Sequence, residues 1–326
     1  MKRAIQFVAA ALAAFVALPG WLAAQPVCAG GNARIVVPYP ASASAIDGLG
    51  RALAQHLSQM WSQPVTVENR AGAGNVLGTQ AVASAAPDGC TIGLATSALP
   101  INAALMPKRL PYDTLTDLVP VTRLASVPIG LFGSPNLPAR NIPELVAYAK
   151  KQADGLTFGT PGVGSASHVA GAMLGSVAGI KLTHLPYKGG AAAAIDLMAN
   201  RIDLMFTSMA IGVPHVKSGK LKLIAIVTPE RDPAFPEVAS IGESLSGYTF
   251  NSYFGVIAPK GMAPALVQRL SGDINKVMAS ADLKSKIDGY GLIATPPTTP
   301  ERFGALVRED IERWGRIIRE NGITAE

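Results

Sequence analysis

The segment Leu156–Leu174, LTFGTPGVGSASHVAGAML, combines a strand, a glycine-rich turn and the start of a helix. Thr157 and Phe158 have the character of a strand end, and the glycines that follow bend the chain. Ser165 and Ser167 then occupy positions typical of helix N-caps. Unpaired N–H groups at a helix start favour anions, so this corner predicts an anion site, with an ordinary strand-to-helix turn as the alternative.

A second segment, Arg34–Leu53, repeats the same order of strand, turn and helix. Its strand core is apolar, its turn from Ala41 to Ala45 is made of small residues, and its helix places Ile46 and Leu49 on one side. Two such units, each with hydroxyl groups at the turn, predict two domains that face one ligand.

The N-terminus has the composition of a secretory signal peptide. A largely apolar run, Ala4–Leu22, follows two basic residues and ends in small residues, which predicts a signal peptide over residues 1–24, with a cut after Ala29 as the alternative. The run is short and contains Pro19-Gly20, which favours cleavage over a permanent membrane anchor. No lipobox precedes Cys28, so we expect a soluble exported protein.

Length and composition restrict the function classes. The 326 residues suffice for two domains, and 49% hydrophobic with 15% charged residues indicates a globular chain. The formal net charge of +6 is dispersed along the sequence, and two of the charges belong to the signal peptide. Because no aromatic residues are interleaved with basic ones, we expect no nucleic-acid partner.

The chain has two cysteines, Cys28 and Cys90, and each lies shortly before or at the start of a predicted strand. If those strands are parallel neighbours, both sulfurs lie at the same end of the sheet, and an oxidising compartment then allows a disulfide. Two separate thiols are the alternative, because spacing alone does not give the geometry. The absence of a C-x-x-C pattern argues against a structural metal site.

Strand and helix patterns alternate over most of the chain, which predicts an α/β protein with a mixed, mainly parallel sheet flanked by helices in each domain. Two strand-like runs, Thr122–Phe132 and Tyr253–Ala258, are expected to cross between the domains, and a C-terminal helix over Pro300–Asn321 completes the chain. We therefore expect domain 1 to comprise residues 30–124 and 252–326, domain 2 to be the inserted residues 125–251, and the hinge to lie near 122–126 and 251–257.

A series of different short motifs runs along the chain from the first predicted strand to the last third of the sequence. They are Val36–Pro40, Val67–Arg70, Gly72–Gly74, Ala86–Gly89, Leu110–Asp113, Gly162–His168, Leu185–Gly189, Ser218–Leu221 and Phe254–Pro259. With these motifs the chain resembles the Bug family, the TctC-like periplasmic solute-binding receptors of tripartite tricarboxylate transport systems. The resemblance implies a two-domain Venus-flytrap fold of the periplasmic binding protein type and a periplasmic location.

The resemblance also implies a function. It suggests that the protein captures a small carboxylated metabolite between its domains, works as a monomer without cofactor or metal, and docks on membrane permease subunits. A ligand-binding module read by a sensor kinase is the first alternative. A secreted hydrolase built on Ser165, His168 and Asp203 is the second, although Ser165 lacks the G-x-S-x-G turn of such enzymes. We therefore expect no enzymatic activity.

The ligand-binding residues that the resemblance implies lie mainly in the two turns described above. They are Tyr39, Ser42, Ala43, Ser44, Asp47, Ser97, Thr160, Gly162, Gly164, Ser165, His168, Tyr187 and Asp203. The first turn departs from the family because it lacks the usual glycines and contains one extra residue, although Ser42 and Ser44 supply hydroxyl groups. This departure leaves the ligand open, from dicarboxylates, acidic amino acids and aromatic acids to a neutral or amide-bearing solute.

Several of these residues also have a purely structural interpretation. His168 is compatible with a buried structural histidine, and Tyr39 and Tyr187 with packing. Asp47 is compatible with a helix cap or with an ion pair to Arg51, four residues later.

Overall fold

The computed structural model describes residues 27–41, 44–228, 231–232, 234–248, 250–320 and 322–324. The predicted signal peptide and two residues of the first turn, Ser42 and Ala43, lie outside these ranges. In the described ranges, no helix combines the length and apolarity needed to cross a membrane.

The described residues form an alternating series of strands and helices. The strands are β1 (Ala33–Val37), β2 (Val65–Asn69), β3 (Thr91–Thr96), β4 (Leu118–Ser126), β5 (Ile129–Gly133), β6 (Leu156–Thr160), β7 (Leu182–Pro186), β8 (Leu204–Ser208), β9 (Lys222–Ile226), β10 (Tyr253–Pro259) and β11 (Ile293–Ala294). The helices are α1 (Ala45–Trp61), α2 (Val76–Ala83), α3 (Ala98–Leu105), α4 (Ile142–Ala149), α5 (Ala166–Ala178), α6 (Gly190–Met198), α7 (Met209–Lys217), α8 (Ile241–Ser244), α9 (Pro264–Met278), α10 (Ala281–Gly289) and α11 (Pro300–Glu320).

Two sheets carry the fold, with the strand orders β11-β4-β10-β3-β1-β2 and β7-β6-β8-β5-β9. In each sheet three strands are parallel neighbours, namely β2, β1 and β3 in the first sheet and β7, β6 and β8 in the second. The remaining pairings are antiparallel, because β10 and β11 in the first sheet and β5 in the second run against the other strands. The α/β class with two mixed sheets, in which most strands run in the same direction, is therefore confirmed.

The predicted strand Thr122–Phe132 is two strands in two different sheets. β4 ends at Ser126 in the first sheet, β5 begins at Ile129 in the second, and the chain passes between the sheets at Val127 and Pro128. The Val127 N–H donates to the carbonyl of Ser252 at 2.8 Å, so the two crossing segments lie side by side. The domain boundaries and the hinge remain predictions, and the paired crossings give that hinge a physical location.

Helix α11 packs against both sheets. Phe303 makes an edge-on contact with Tyr253 of β10, with ring centroids 5.9 Å apart. Further along α11, Trp314 is fully buried and packs on Phe250, with ring centroids 4.8 Å apart, within the apolar core of the second sheet. The C-terminal helix therefore contributes to the core of the second sheet as well as to the first.

Cys28 and Cys90 form a disulfide, as one of the two sequence interpretations predicted. Strands β1 and β3 are parallel neighbours, with Arg34 opposite Thr91, and the two cysteines precede them at the same end of the sheet. This end is opposite to the turns that follow the strands, so the disulfide stabilises the scaffold away from those turns.

Candidate functional site

The turns that follow β1, β2, β6 and β7 meet between the two sheets and enclose a cavity of about 390 Å³. Parallel neighbours end at the same edge of a sheet, so each sheet presents two such turns to the other. The described residues that line the cavity are Pro38, Tyr39, Pro40, Ala71, Gly72, Ala73, Gly74, Asn75, Pro161, Gly162, Ser165, Tyr187, Lys188 and Gly189. The arrangement is a cleft between two lobes, the position at which α/β proteins of this architecture bind ligands.

Side-chain hydrogen bonds hold the turn after β6. The hydroxyl of Thr160 accepts from the Gly162 N–H at 3.2 Å and lies 2.6 Å from Nε2 of His184. Ser165 caps α5, because its hydroxyl accepts from the His168 N–H at 3.2 Å. The predicted N-cap at Ser165 is therefore confirmed, and the lining residues Gly162 and Ser165 are fixed in place by their neighbours.

His168 supports this turn from behind. Its Nδ1 accepts from the Gly164 N–H at 3.3 Å, and its ring stacks on His184 with a centroid distance of 4.1 Å. Burial lowers the pKa of His168 to about 4, and burial together with the neighbouring His168 lowers the pKa of His184 to about 3. Both rings are neutral at pH 7, which keeps Nδ1 of His168 available as an acceptor.

The turn after β2 faces the second sheet, and sequence reasoning did not assign it to the site. Asn75 lies in the left-handed region with φ 79°, and its side chain donates to Thr96 at 2.9 Å. Asn102 of α3 donates to the carbonyl of Gly74 at 2.8 Å and fixes the turn from the other side. The signal was present in the sequence, because β2 was predicted as a strand of the same domain and its turn carries the Gly72–Gly74 motif.

The turns after β2 and β6 touch each other across the cleft. Gly74 has φ 60°, and a Cβ added to it would overlap the carbonyl oxygen of Val163. A Cβ on Gly164, with φ 72°, would overlap Oδ1 of Asn102. Only glycine permits both the backbone conformation and this approach, so the two positions bring the lobes together over the cavity.

The first predicted turn contributes Tyr39, which lines the cavity. Burial raises the pKa of Tyr39, although a side-chain hydrogen bond with Asn75 opposes the effect. Ser44 is the N-cap residue of α1. The buried carboxylate of Asp47 binds Arg51 at 3.0 Å and accepts from Asn69 at 2.7 Å, so the ion-pair interpretation of Asp47 is confirmed.

The structure does not bring all the predicted residues to the cavity. Ser97 is buried beside β10, where its hydroxyl accepts from the Tyr253 N–H at 2.8 Å. Asp203 accepts from both the N–H and the hydroxyl of Thr157 at 2.8 Å, at the opposite end of β6 from the glycine-rich turn. Because Ser165 caps a helix and Asp203 lies at the far end of the sheet, these residues do not form a hydrolase triad.

Tyr187 does line the cavity, and its hydroxyl donates to Asp196 at 2.9 Å. Burial is the main cause that raises the pKa of Tyr187, so the phenol is neutral at pH 7. His168 and Thr160 lie one layer behind the wall and act on it through Gly164 and Gly162. For the described residues, no group of three or more His, Cys, Asp or Glu side chains is placed to hold a metal ion.

Two lobes joined by paired crossing segments, with a cleft between them, are typical of a solute-binding protein. The profile of the TctC family, described as "Tripartite tricarboxylate transporter family receptor", matches residues 49–323, and the chain belongs to this family. BugT of Bordetella pertussis is 32% identical over 294 residues, which cover 89% of each chain. A protein encoded in the tcbD-tcbE intergenic region of Pseudomonas sp. strain P51 is 33% identical over 292 residues, or 89% of this chain and 86% of the relative.

Solved structures agree with this assignment. The periplasmic binding protein BugD is 30% identical, with a TM-score of 0.82 over 90% of this chain and 99% of its own. MatC from Rhodopseudomonas palustris with bound malate is 28% identical, with a TM-score of 0.80 over 88% of this chain and 99% of its own. R. palustris Rpa4515 with adipate is 27% identical, with a TM-score of 0.83 over 90% of this chain and 98% of its own. The family is one of receptors and BugD is a periplasmic binding protein, so the chain is a solute-binding receptor and not an enzyme.

Proposed function

We propose that the protein captures a small carboxylated metabolite in the cavity between its lobes and delivers it to a membrane permease of the tripartite tricarboxylate type. The cavity itself carries this proposal, because backbone turns and neutral hydroxyl groups enclose it and the described lining residues include no carboxylate. Two relatives of similar fold contain malate and adipate, which supports a carboxylate as the ligand class.

The turn between β6 and α5 supplies the anchor for the carboxylate in this proposal. The N-terminus of α5 points its unpaired N–H groups towards the cavity wall, where Gly162 and Ser165 lie. Each helix-end interaction contributes roughly 0.3 to 1 kcal/mol, and up to about 2 kcal/mol when partly buried, so several donors must act together. Tyr39, which is neutral, offers a hydroxyl group, whereas Tyr187 lines the cavity with its hydroxyl proton already donated to Asp196.

The residues that we assign to ligand contact are therefore fewer than those predicted, and they include the turn after β2. We assign direct contact to Tyr39, Gly162, Ser165, Tyr187 and the Gly72–Asn75 turn. Thr160, Gly164 and His168 position the anchor, while Asp47, Ser97 and Asp203 maintain the scaffold. Ser42 and Ala43 keep their assignment as predicted contacts.

Closure of the two lobes over the ligand is the change that the permease would recognise. The crossing segments at Val127 and Ser252 are hydrogen-bonded to each other, and hinge motion about such a pair brings two lobes together. Contact between Gly74 and Val163 then covers the ligand. A permease that docks on both lobes would distinguish the closed form from the open one.

Native mass spectrometry of the protein purified from periplasm tests the proposed ligand class, followed by thermal shift against a panel of carboxylates and their amides. We expect a bound small acid, or one acid that raises the melting temperature with concentration, while the matching amide does not. Stabilisation by amides or neutral solutes alone would contradict the proposal. Uptake of the identified acid by cells with and without the receptor gene then tests delivery to a permease.

A further inference from the structure

Lys188 carries the one ionisable charge at neutral pH among the described residues that line the cavity, since both lining tyrosines are neutral. Lys188 is exposed, and the salt bridges of the described part of the chain do not include it. The carboxylate of Asp196, which accepts from the hydroxyl of the neighbouring Tyr187 at 2.9 Å, also binds Arg201 at 2.9 Å. The ammonium of Lys188 is therefore free to neutralise a ligand.

The position of Lys188 places this charge beside the proposed anchor. Strands β6 and β7 are parallel neighbours, with Thr160 opposite Pro186, and the Tyr187 N–H donates to the carbonyl of Thr160 at 3.0 Å. Neighbouring strands are about 4.8 Å apart, so the turns that continue them are separated by little more than the length of a short carbon chain. Lys188 and Gly162 follow these two strand ends and line the same cavity.

We propose that Lys188 selects for solutes that carry a second acidic group, so that the receptor prefers dicarboxylates to monocarboxylates of equal length. This inference rests on the proposed function. One carboxylate occupies the turn between β6 and α5, and the second lies at the ammonium of Lys188. A ligand without the second acid leaves the cation unpaired when the lobes close, which removes the gain from charge pairing.

The size of the effect follows from the exposure of the side chain. A fully exposed ion pair contributes little because water and salt screen it. Enclosure between two lobes excludes part of that water, so we expect a preference of about 10-fold for the diacid. The preference should fall as the ionic strength rises.

Titration calorimetry with two matched series of ligands tests this inference. Succinate, glutarate and adipate are compared with butyrate, valerate and hexanoate, on the wild type and on Lys188→Gln, Lys188→Arg and Lys217→Gln. Lys217 is an exposed lysine of α7 that does not line the cavity, so its variant controls for the loss of a surface charge. Thermal melting of each variant without ligand verifies that it is folded.

We expect the wild type to bind its best diacid about 10-fold more tightly than the monoacid of the same length. Lys188→Gln should remove this preference, because it lowers the affinity for the diacid and leaves the affinity for the monoacid within about twofold of the wild type. Lys188→Arg and Lys217→Gln should retain the preference. An unchanged preference in Lys188→Gln would overturn the role of Lys188 and leave the proposed function intact. If the wild type bound neither series, the proposed function would fail and this inference with it.

Discussion

The two turns that touch across the cleft are held in different ways. Side chains hold the turn after β6, where Thr160 and His168 bind its N–H groups. The turn after β2 instead uses backbone conformations that are rare for side-chain-bearing residues, with φ 47° at Ala73 and 79° at Asn75, and it is supported by Asn102. One turn is stabilised by a polar network behind it, and the other by its own backbone geometry.

This difference shows which property of the site the sequence must preserve. The turn after β1 lacks the glycines usual for the family, yet close approach between the lobes is achieved by Gly74 in the next turn along the sheet edge. Different turns can supply the hydroxyl groups of the site, because any donor near the ligand is useful. Contact between backbones requires a residue without Cβ at the contact itself.

The largest expected effect comes from a change at the contact between the turns. In Gly74→Ala the added methyl group overlaps the carbonyl of Val163, so the lobes cannot close fully. We expect roughly a 100-fold loss of ligand affinity, because the population of the closed form falls. Titration calorimetry measures the loss, and small-angle scattering shows whether the ligand still makes the molecule more compact.

Gly179→Ala is the matched control for Gly74→Ala. Gly179 ends α5 with φ 61°, close to the 60° of Gly74, and no atom outside its immediate neighbours lies within 4 Å of an added Cβ. Both variants carry the same backbone strain, but only one carries the overlap. Equal affinities of the two variants would show that the contact between the turns does not control closure.

The next-largest loss of affinity is expected from a change at the end of β6 that carries the glycine-rich turn. Thr160→Val removes the hydroxyl that binds Gly162 and His184, which loosens the anchor and leaves polar groups unpaired. We expect an affinity loss of about 10-fold and a stability loss of about 1 to 3 kcal/mol. Titration calorimetry and urea unfolding measure the two quantities.

Thr157→Val is the comparison for Thr160→Val within the same strand. It removes the hydroxyl that binds Asp203 at the end of β6 away from the cavity. We expect a similar loss of stability with affinity changed by less than about twofold. A large loss of affinity in Thr157→Val would contradict the assignment of Asp203 to the scaffold.

The histidine pair predicts a dependence of stability on pH. The folded-state pKa values of His168 and His184 lie below the ordinary value near 6.5, so the unfolded chain binds protons first as the pH falls. Stability is therefore complete above about pH 6.5 and declines towards about pH 4, by up to about 1.4 kcal/mol per pH unit for each ring. Because His184 is partly exposed, its share should be smaller.

Urea unfolding between pH 6.5 and pH 5 measures this slope before most carboxylates titrate. His168→Gln should have a shallower slope than the wild type, whereas His215→Gln, which alters a histidine of α7 outside the pair, should retain it. Identical slopes in all three proteins would show that the pair does not remain neutral in the folded state.

The smallest expected effect on binding is that of Asp47→Asn. The buried carboxylate binds Arg51 and Asn69 and does not appear among the lining residues, so affinity should change by less than about threefold. Loss of the charge beside Arg51 should cost about 1 kcal/mol of stability. A 10-fold loss of affinity at constant stability would restore Asp47 to the ligand contacts.

The alternation of strands and helices was sufficient to predict two mixed sheets and the position of the cleft between them. Helix α3 was not predicted, because Pro100 interrupts its pattern although proline is tolerated in a first helical turn. The second role of α11 was also missed, since the burial of Trp314 does not reveal which sheet it packs against.

The site was predicted at the level of turns and less well at the level of side chains. The N-cap position of Ser165 has a local signature in the sequence, whereas the positions of Asp203 and Ser97 away from the cavity depend on strand register and depth, which the sequence does not show. Lys188 was overlooked for a related reason. Its neighbour Tyr187 was considered, but only the parallel pairing of β6 and β7 brings the lysine to the same cavity.

A crystal structure with a dicarboxylate bound would show whether two turns of different construction hold one acid between them. We predict one carboxylate at the unpaired N–H groups that begin α5, beside Gly162 and Ser165, with the Gly72–Asn75 turn closed over it. A ligand bound elsewhere, for example in the separate cavity of about 480 Å³ beside His184 and Ile323, would contradict the account.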